Sequence, residues 1–170
     1  AFCGTYRGER FQIKSDKIIM ADIAFAAEYC RRQRRVFLCD GDALIIPQKR
    51  LLPILQAIRE QLPWVTRVGA YANTKSLAMK TDEELKTLHA NGLGILYMGL
   101  ESGDDETLKA INKGASSERM IALGRKAKKA GFKLSVTVIL GVAGRERSQA
   151  HALATGRVLS QIDPDYVGAL

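Results

Sequence analysis

The chain is 170 residues long, 46% of its residues are hydrophobic, and its formal net charge at pH 7 is +8. This length allows one domain with a sizeable hydrophobic core, and no apolar run in the sequence is long enough to cross a membrane. The chain begins with Ala1 rather than methionine, and no secretory signal is visible. Because no such signal is visible, we expect a cytoplasmic protein without a membrane partner.

Basic residues are distributed along the whole chain rather than gathered in one segment. Several of them, including Arg31, Lys128 and Lys129, fall near predicted helix C-termini, where a cation offsets the helix dipole. We therefore favour a solvated helix surface over a surface that binds polyanions. Nucleic acid is a possible partner that this charge pattern does not favour.

The chain opens with a helical pattern and then a strand pattern. Ser15 can cap a helix whose apolar positions between residues 19 and 30 recur at helical spacing. The continuous apolar run at residues 36–39 is typical of a strand buried on both faces. Two carboxylates and a glycine follow this strand, namely Asp40, Gly41 and Asp42.

A second pair of patterns follows. Apolar residues between 51 and 62 predict a helix that begins near Lys49, which would place Pro53 in the first turn, where its missing N–H costs little. Residues 66–71 then predict a strand that delivers Asn73 beyond its end.

The next helix has clear signals at both ends. Thr81 with Glu84 three residues later is a capping-box pattern, and Gly92 predicts the end of this helix. The apolar run at 95–100 then predicts a strand that ends abruptly at Glu101.

This central strand places a carboxylate and a hydroxyl, Glu101 and Ser102, at its C-terminal end. In folds built from parallel β/α units, ligands and catalytic groups collect at that end, so both are candidate site residues. For Ser102 and Asp104 a second role stays open, because either side chain could cap the helix that follows.

The last part of the chain repeats the alternation. Ser116 or Ser117 can begin a helix that stops at Gly131, and the β-branched run at 132–140 predicts a strand that ends at Gly141. One more helix near residues 158–162 and a final strand at 166–170 complete the pattern. Regular alternation of helices and strands predicts a parallel sheet with right-handed crossovers.

The cysteines and histidines do not form a recognisable metal or catalytic set. The spacing of Cys3, Cys30 and Cys39 fits neither a zinc site nor a disulfide framework, and the last two are expected to be small buried hydrophobic residues. His89 and His151 have no partners at metal or triad spacing, so we expect surface or helix-packing roles for them.

Two segments carry a family resemblance. Residues 99–103, Gly-Leu-Glu-Ser-Gly, followed by residues 108–114, resemble the fourth-strand segment of radical S-adenosylmethionine (radical SAM) enzymes. The closest branch contains oxygen-independent coproporphyrinogen oxidase, the methylthiotransferases and the Elongator catalytic subunit. Residues 1–4 resemble the tail of that family's Cys-x-x-x-Cys-x-aromatic-Cys motif, with Phe2 as the aromatic residue and Cys3 as the third cysteine.

The resemblance implies an α/β fold, a partial TIM-like (β/α)6 barrel with parallel strands. The predicted elements match strands two to six of that barrel, and the first two motif cysteines are not in this sequence. We therefore expect residues 1–170 to be a radical SAM core domain that is incomplete at its N-terminus and could be incomplete at its C-terminus.

The resemblance also implies cofactors and a reaction. Radical SAM enzymes hold a 4Fe–4S cluster and reductively cleave S-adenosylmethionine to a 5′-deoxyadenosyl radical, which acts on a substrate that this sequence does not reveal. A reductant protein is an implied partner of the parent enzyme. Cys3 would be a cluster ligand, and Phe2 would lie near the adenine.

The remaining implied contacts are with S-adenosylmethionine. Asp40, Gly41 and Asp42 stand in place of the family's Gly-Gly-Glu motif, which takes up the methionine amino group; Asp40 replaces a glycine, and Asp42 is one methylene shorter than glutamate. The other matched or neighbouring positions are Asn73 beyond its strand, Glu101 and Ser102 at the ribose and methionyl end, Val138 and Gly141 on the adenine side, and Lys128 at the methionine carboxylate.

Other functions stay open at this point. Lys128 could be an ordinary exposed helix lysine. One cysteine cannot hold a cluster that takes three, so the chain could be a cluster-free β/α fragment without activity, or a basic RNA-binding module whose affinity falls steeply with salt. A third alternative is a β/α-barrel enzyme that acts on a phosphorylated metabolite through Asp40, Asp42 and Glu101.

Overall fold

The computed structural model describes residues 12–39 and 41–170. The predictions for Phe2, Cys3 and Asp40 lie outside the described residues. The helices are α1 (Asp16–Tyr29), α2 (Gln48–Gln61), α3 (Thr74–Met79), α4 (Asp82–Ala90), α5 (Asp105–Ala110), α6 (Ser117–Lys129) and α7 (Gly144–Ile162), with a short 3-10 helix at Ala43–Ile45. The strands are β1 (Arg35–Leu38), β2 (Arg67–Tyr71), β3 (Leu93–Glu101), β4 (Lys133–Val138) and β5 (Tyr166–Ala169).

The five strands form one parallel sheet in the order β1-β2-β3-β4-β5, so each strand pairs with its neighbour along the chain. Each connection runs through at least one helix, as parallel pairing requires. The predicted α/β fold with parallel strands is confirmed. Because the strands are parallel, their carboxyl ends meet at one edge of the sheet.

Side-chain caps fix the beginnings of several helices. The hydroxyl of Thr81 accepts a hydrogen bond from Glu84 N at 3.1 Å, and the Glu84 carboxylate accepts one from Thr81 N at 2.7 Å. This is the predicted capping box. The hydroxyls of Ser15 and Ser116 cap α1 and α6 by accepting from Ile18 N and Arg119 N.

The core lies between the helices and one face of the sheet. Along β3 and β4 every second side chain is buried there, including Leu96, Met98 and Leu134. The other face carries Phe37, Tyr71 and Tyr97, whose rings meet edge to face with centroids 4.9 to 6.2 Å apart. Tyr71 is 50% exposed, so this face is much less covered than the face under the helices.

Four sequence predictions about local structure were wrong. β1 is not buried on both faces, because it lies at an edge of the described sheet and its residues alternate between exposed and half-buried. Cys39 follows β1 and is exposed, and Cys30 is a half-buried helix cap. The predicted start of α2 near Lys49 is confirmed, since the helix begins at Gln48, but Pro53 lies beyond its first turn.

None of the described helices combines the length and hydropathy that a bilayer crossing requires.

Candidate nucleoside-binding edge

Several predicted site residues meet at the carboxyl edge of the sheet. The backbone N–H of Asn73, beyond β2, donates to Asp42 Oδ2, beyond β1, at 3.3 Å. The N–H of Ile139, beyond β4, donates to the carbonyl oxygen of Glu101 at 3.0 Å. Parallel strand order therefore brings together the segments after β1 and β2, and likewise the end of β3 and the segment after β4.

Asp42 connects the first two of these segments. Its carboxylate accepts from Leu44 N at 3.1 Å, which caps the 3-10 helix, and from the Asn73 backbone. Burial raises the pKa of the Asp42 carboxyl, and hydrogen bonds from Ser76 and from nearby backbone N–H groups oppose that rise. A neighbouring cation, such as an ammonium group, would favour its ionised form.

Asn73 uses one end of its side chain for structure. Its Oδ1 accepts from Lys75 N at 2.8 Å and from Ser76 N at 2.9 Å, and so caps α3. Within residues 12–39 and 41–170, its side-chain amide nitrogen has no hydrogen-bond partner. Asn73 can therefore donate to a ligand without giving up the cap.

Glu101 ends β3 in an uncommon backbone conformation. Its φ is +64°, in the left-handed region that costs a non-glycine residue about 1 to 3 kcal/mol. The strand pairing with β4 is irregular at the same place, between Gly99 and Glu101. Oε1 lies 2.9 Å from Lys113 Nζ, whereas Oε2 has no hydrogen-bond partner among the described residues. Glu101 thus presents a carboxylate oxygen that is free to accept from a ligand.

Ser102 has a different environment from Glu101. The side chain of Ser102 is fully buried, and its Oγ lies 2.8 Å from His151 Nδ1 on α7. The same oxygen accepts from Asp104 N at 3.0 Å, and Gly103 N donates to Thr155 Oγ1 at 2.9 Å. These contacts attach the loop after β3 to α7. The sequence-based expectation for His151 was a surface or packing role, and its contact with Ser102 was not predicted.

Asp104 completes this attachment. Its Oδ2 accepts from Thr107 N at 3.1 Å and caps α5, which settles the capping alternative in favour of Asp104. Arg147 of α7 donates to both carboxylate oxygens, at 2.9 and 2.7 Å. This guanidinium holds the pKa of the Asp104 carboxyl well below its usual range. Arg147 was not singled out as a site residue from the sequence, because it is 43 positions away from Asp104 along the chain.

Three predicted residues are placed less directly. Gly141 lies beyond β4 with φ +74°, and no atom lies within 4 Å of the β-carbon position, so its backbone is open to a ligand. Val138 is 6% exposed and belongs to the core, which leaves only its backbone near the edge. Lys128 is at the opposite edge, where its Nζ donates to the carbonyl oxygen of Asp163 and lies 3.2 Å from Asp163 Oδ2.

The side chains at this edge can be compared with what a metal ion and a polar organic ligand each need. The described residues contain no group of three or more His, Cys, Asp or Glu side chains that could hold a metal, and Cys3 is outside them. The Glu101 Oε2 acceptor and the Asn73 amide donor suit a ligand with several hydroxyl or amino groups. Gly41 resembles Gly141 in its positive φ and in the open space around its β-carbon position.

Comparisons with solved structures show the fold. Coproporphyrinogen III oxidase (HemN) from Escherichia coli, a radical SAM enzyme, aligns with a TM-score of 0.66 and 15% identity over 93% of this chain. Methylornithine synthase (PylB) aligns with 0.71 and 19% over 95%, and HydG, a maturase of the [FeFe]-hydrogenase, with 0.66 and 16% over 99%. The alignments cover 38%, 44% and 39% of those proteins, so this chain spans less than half of their length.

A comparison with curated proteins found no match. The family model described as the radical SAM superfamily, in contrast, matches residues 1–155, which is most of the chain. The match includes the segment of β3 that ends in Glu101 and all of the loop that follows it. The sequence match and the shared fold agree, and the chain belongs to the radical SAM superfamily.

Proposed function

We propose that this chain is the core of a radical SAM enzyme and that the carboxyl edge of its sheet binds S-adenosylmethionine. One observation supports the proposal most strongly. Glu101 is held at this edge by Lys113 through one oxygen, and within the described residues its second oxygen has no partner. A carboxylate oxygen in that position suits the vicinal hydroxyls of a ribose, since charge-assisted hydrogen bonds are the stronger ones.

When bound, the 4Fe–4S cluster and S-adenosylmethionine supply a one-electron cleavage that yields a 5′-deoxyadenosyl radical, which removes hydrogen from a substrate. In this proposal Cys3 is a cluster ligand and Phe2 lies near the adenine. A reductant protein would deliver the electron. The substrate of the reaction is not specified by the residues at this edge.

In this proposal, different residues at the edge contact different parts of the ligand. Glu101 orients the ribose, while Gly41 and Asp42, with Asp40, take up the methionine amino group. Asn73 donates its side-chain amide hydrogens, and the open backbone at Gly141, beyond Val138, approaches the adenine. Ser102 acts through the position of its loop, since its hydroxyl is bonded to His151 and Asp104. Lys128 is not part of this site, because it lies at the other edge of the sheet.

The binding step can be tested with S-adenosylhomocysteine as the probe. Titration calorimetry should detect binding to the chain, and Glu101→Gln should weaken that binding about tenfold, because an amide oxygen accepts weaker hydrogen bonds than a carboxylate. Glu60→Gln is the matched control, since Glu60 is exposed on α2 and far along the chain from the site residues.

The chemistry requires the complete gene product, reconstituted with iron and sulfide without oxygen and then reduced. It should form 5′-deoxyadenosine from S-adenosylmethionine, and Glu101→Gln should slow that formation while Glu60→Gln does not. Equal affinities of the wild type and Glu101→Gln would contradict the role of Glu101. Failure of the iron-loaded protein to form 5′-deoxyadenosine would contradict the proposed function itself.

A further inference from the structure

We infer that Lys113 is a positioning residue that fixes the Glu101 carboxylate for its ligand. The inference rests on the proposed function, in which Glu101 binds the ribose. Lys113 follows α5 along the chain and returns to the end of β3, where its Nζ lies 2.9 Å from Glu101 Oε1. It was not among the residues singled out from the sequence.

The backbone of Glu101 explains why its side chain needs a partner. With φ at +64°, the Cα–Cβ bond does not continue the alternation of an ordinary strand. The side chain instead lies back over Gly99, where an added β-carbon would overlap Glu101 Oε1. A carboxylate in this position would be free to rotate about its terminal bond unless one oxygen were held.

Gly99 provides the space for both members of the ion pair. Its absent β-carbon would lie 3.1 Å from Lys113 Nζ as well as against the Glu101 carboxylate. The three residues therefore depend on one another. The absence of a side chain at Gly99 leaves space for the Glu101 carboxylate and for the Lys113 ammonium group that pairs with it.

The surroundings make this ion pair stronger than a surface pair. The side chains of Lys113 and Glu101 are only 18% and 11% exposed. For comparison, the pair between Lys86 and Glu83 has side-chain exposures of 51% and 81%. Partly buried pairs are screened less by solvent and salt, and removing one partner leaves the other charge without compensation.

The geometry divides the work between the two oxygens of Glu101. Oε1 accepts from Lys113, and within residues 12–39 and 41–170 Oε2 remains available. Holding one oxygen orients the second, so a ligand that uses Oε2 does not have to immobilise the side chain. Lys113 should therefore increase ligand affinity without touching the ligand.

Calorimetry with two probes separates positioning from direct contact. Lys113→Met should weaken S-adenosylhomocysteine and 5′-deoxyadenosine by the same factor, about tenfold, and Lys113→Arg should restore most of the affinity. Lys109→Met is the matched control, an exposed lysine on α5 whose loss should change neither affinity. A loss confined to S-adenosylhomocysteine would mean that Lys113 binds the amino-acid end, and would overturn the inference.

A double-mutant cycle tests the dependence on Glu101. In a Glu101→Gln background, Lys113→Met should add less than about a twofold loss, because the positioned charge is already gone. Gly99→Ala provides an independent test, since it should cause a similar loss without removing either charge. Full additivity of the two changes, or a Lys113→Met variant equal to Lys109→Met, would overturn the inference. If Glu101→Gln weakened binding under those outcomes, the proposed function would still stand.

Discussion

Two acidic loops meet at the same edge of the sheet but are held in opposite ways. Asp42, after β1, is bonded to neutral N–H groups nearby, and burial raises its pKa. Asp104, after β3, is bonded to Arg147 of α7, and this cation lowers its pKa. Neutral N–H groups from the same loop and from the segment after β2 thus fix the first loop. The second loop is fixed by an ion pair with the distant helix α7. Only the second loop directly follows Glu101.

The largest effect on stability is expected from a substitution that separates the loop after β3 from α7. At Gly103, an added β-carbon would lie 2.5 Å from the carbonyl oxygen of Ala154 in the α7 backbone, which cannot easily move. Gly103→Ala should therefore destabilise the protein by about 3 kcal/mol in urea unfolding. The loop contacts of Ser102 with His151 should be lost with it.

Gly156→Ala is the matched control for this change. Gly156 is also on α7, but its β-carbon position has no atom within 4 Å, and alanine is the better helix former by about 1 kcal/mol. We expect this variant to be as stable as the wild type or more so. Similar stability of the two alanine variants would show that the close approach of loop and helix is relaxed in solution.

A smaller loss of stability should follow from removing the charge of Arg147 on α7. Arg147→Met leaves the Asp104 carboxylate without its cation, and should lower the unfolding free energy at pH 7 by less than Gly103→Ala does. Because the folded pKa of Asp104 is lowered, the stabilisation is present above the unfolded value of about 3.9 and is lost as pH falls through the folded value. The difference between wild type and variant should therefore shrink below about pH 4.

Urea unfolding at a series of pH values measures this effect. Lys86→Met serves as the charge-matched control, because its exposed pair with Glu83 should contribute little to stability. A stability difference between Arg147→Met and wild type that stayed constant down to pH 2 would argue that Asp104 is not held by charge.

The smallest expected effect on stability is at Asp42, and its pH dependence is opposite to that of Asp104. Burial raises the folded pKa of Asp42, so its protonated form stabilises the fold below about pH 3.9, and that stabilisation is lost as pH rises through the folded value. Asp42→Asn should change stability by less than about 1 kcal/mol at pH 7. In the same unfolding series, the wild type should gain on the variant as pH falls. A wild type that lost stability relative to Asp42→Asn on acidification would contradict the contrast between the loops.

Local signals allowed much of the fold to be predicted from the sequence. The capping box of Thr81 and Glu84 and the glycine that ends α4 act within a few residues, and the structure confirms them. The helix α3, which was not predicted, has only six residues and depends on its Asn73 cap. The exposure of Cys39 was missed because a run of apolar letters does not reveal that its strand is at an edge of the described sheet.

The site could be predicted only in part, for a similar reason. Glu101 was found because the end of a strand is visible in the sequence. Its left-handed backbone, its bond to Lys113 and the Ser102–His151 contact are products of tertiary packing, and the last joins residues 49 positions apart. Lys128 was matched through the family resemblance, and a match in sequence does not show at which edge of the sheet a side chain lies.

The sequential order of the strands also has a consequence for how the chain folds. β1 pairs with β2, β2 with β3, and so on to β5, so each pairing needs only the segment that has just been synthesised. None of the five described strands has to wait for a distant partner, and the sheet can grow one β/α unit at a time as the polypeptide leaves the ribosome. The loop after β3 is the exception. It reaches its final attachment only when α7 has emerged, so Glu101 would be among the last residues to settle during biosynthesis.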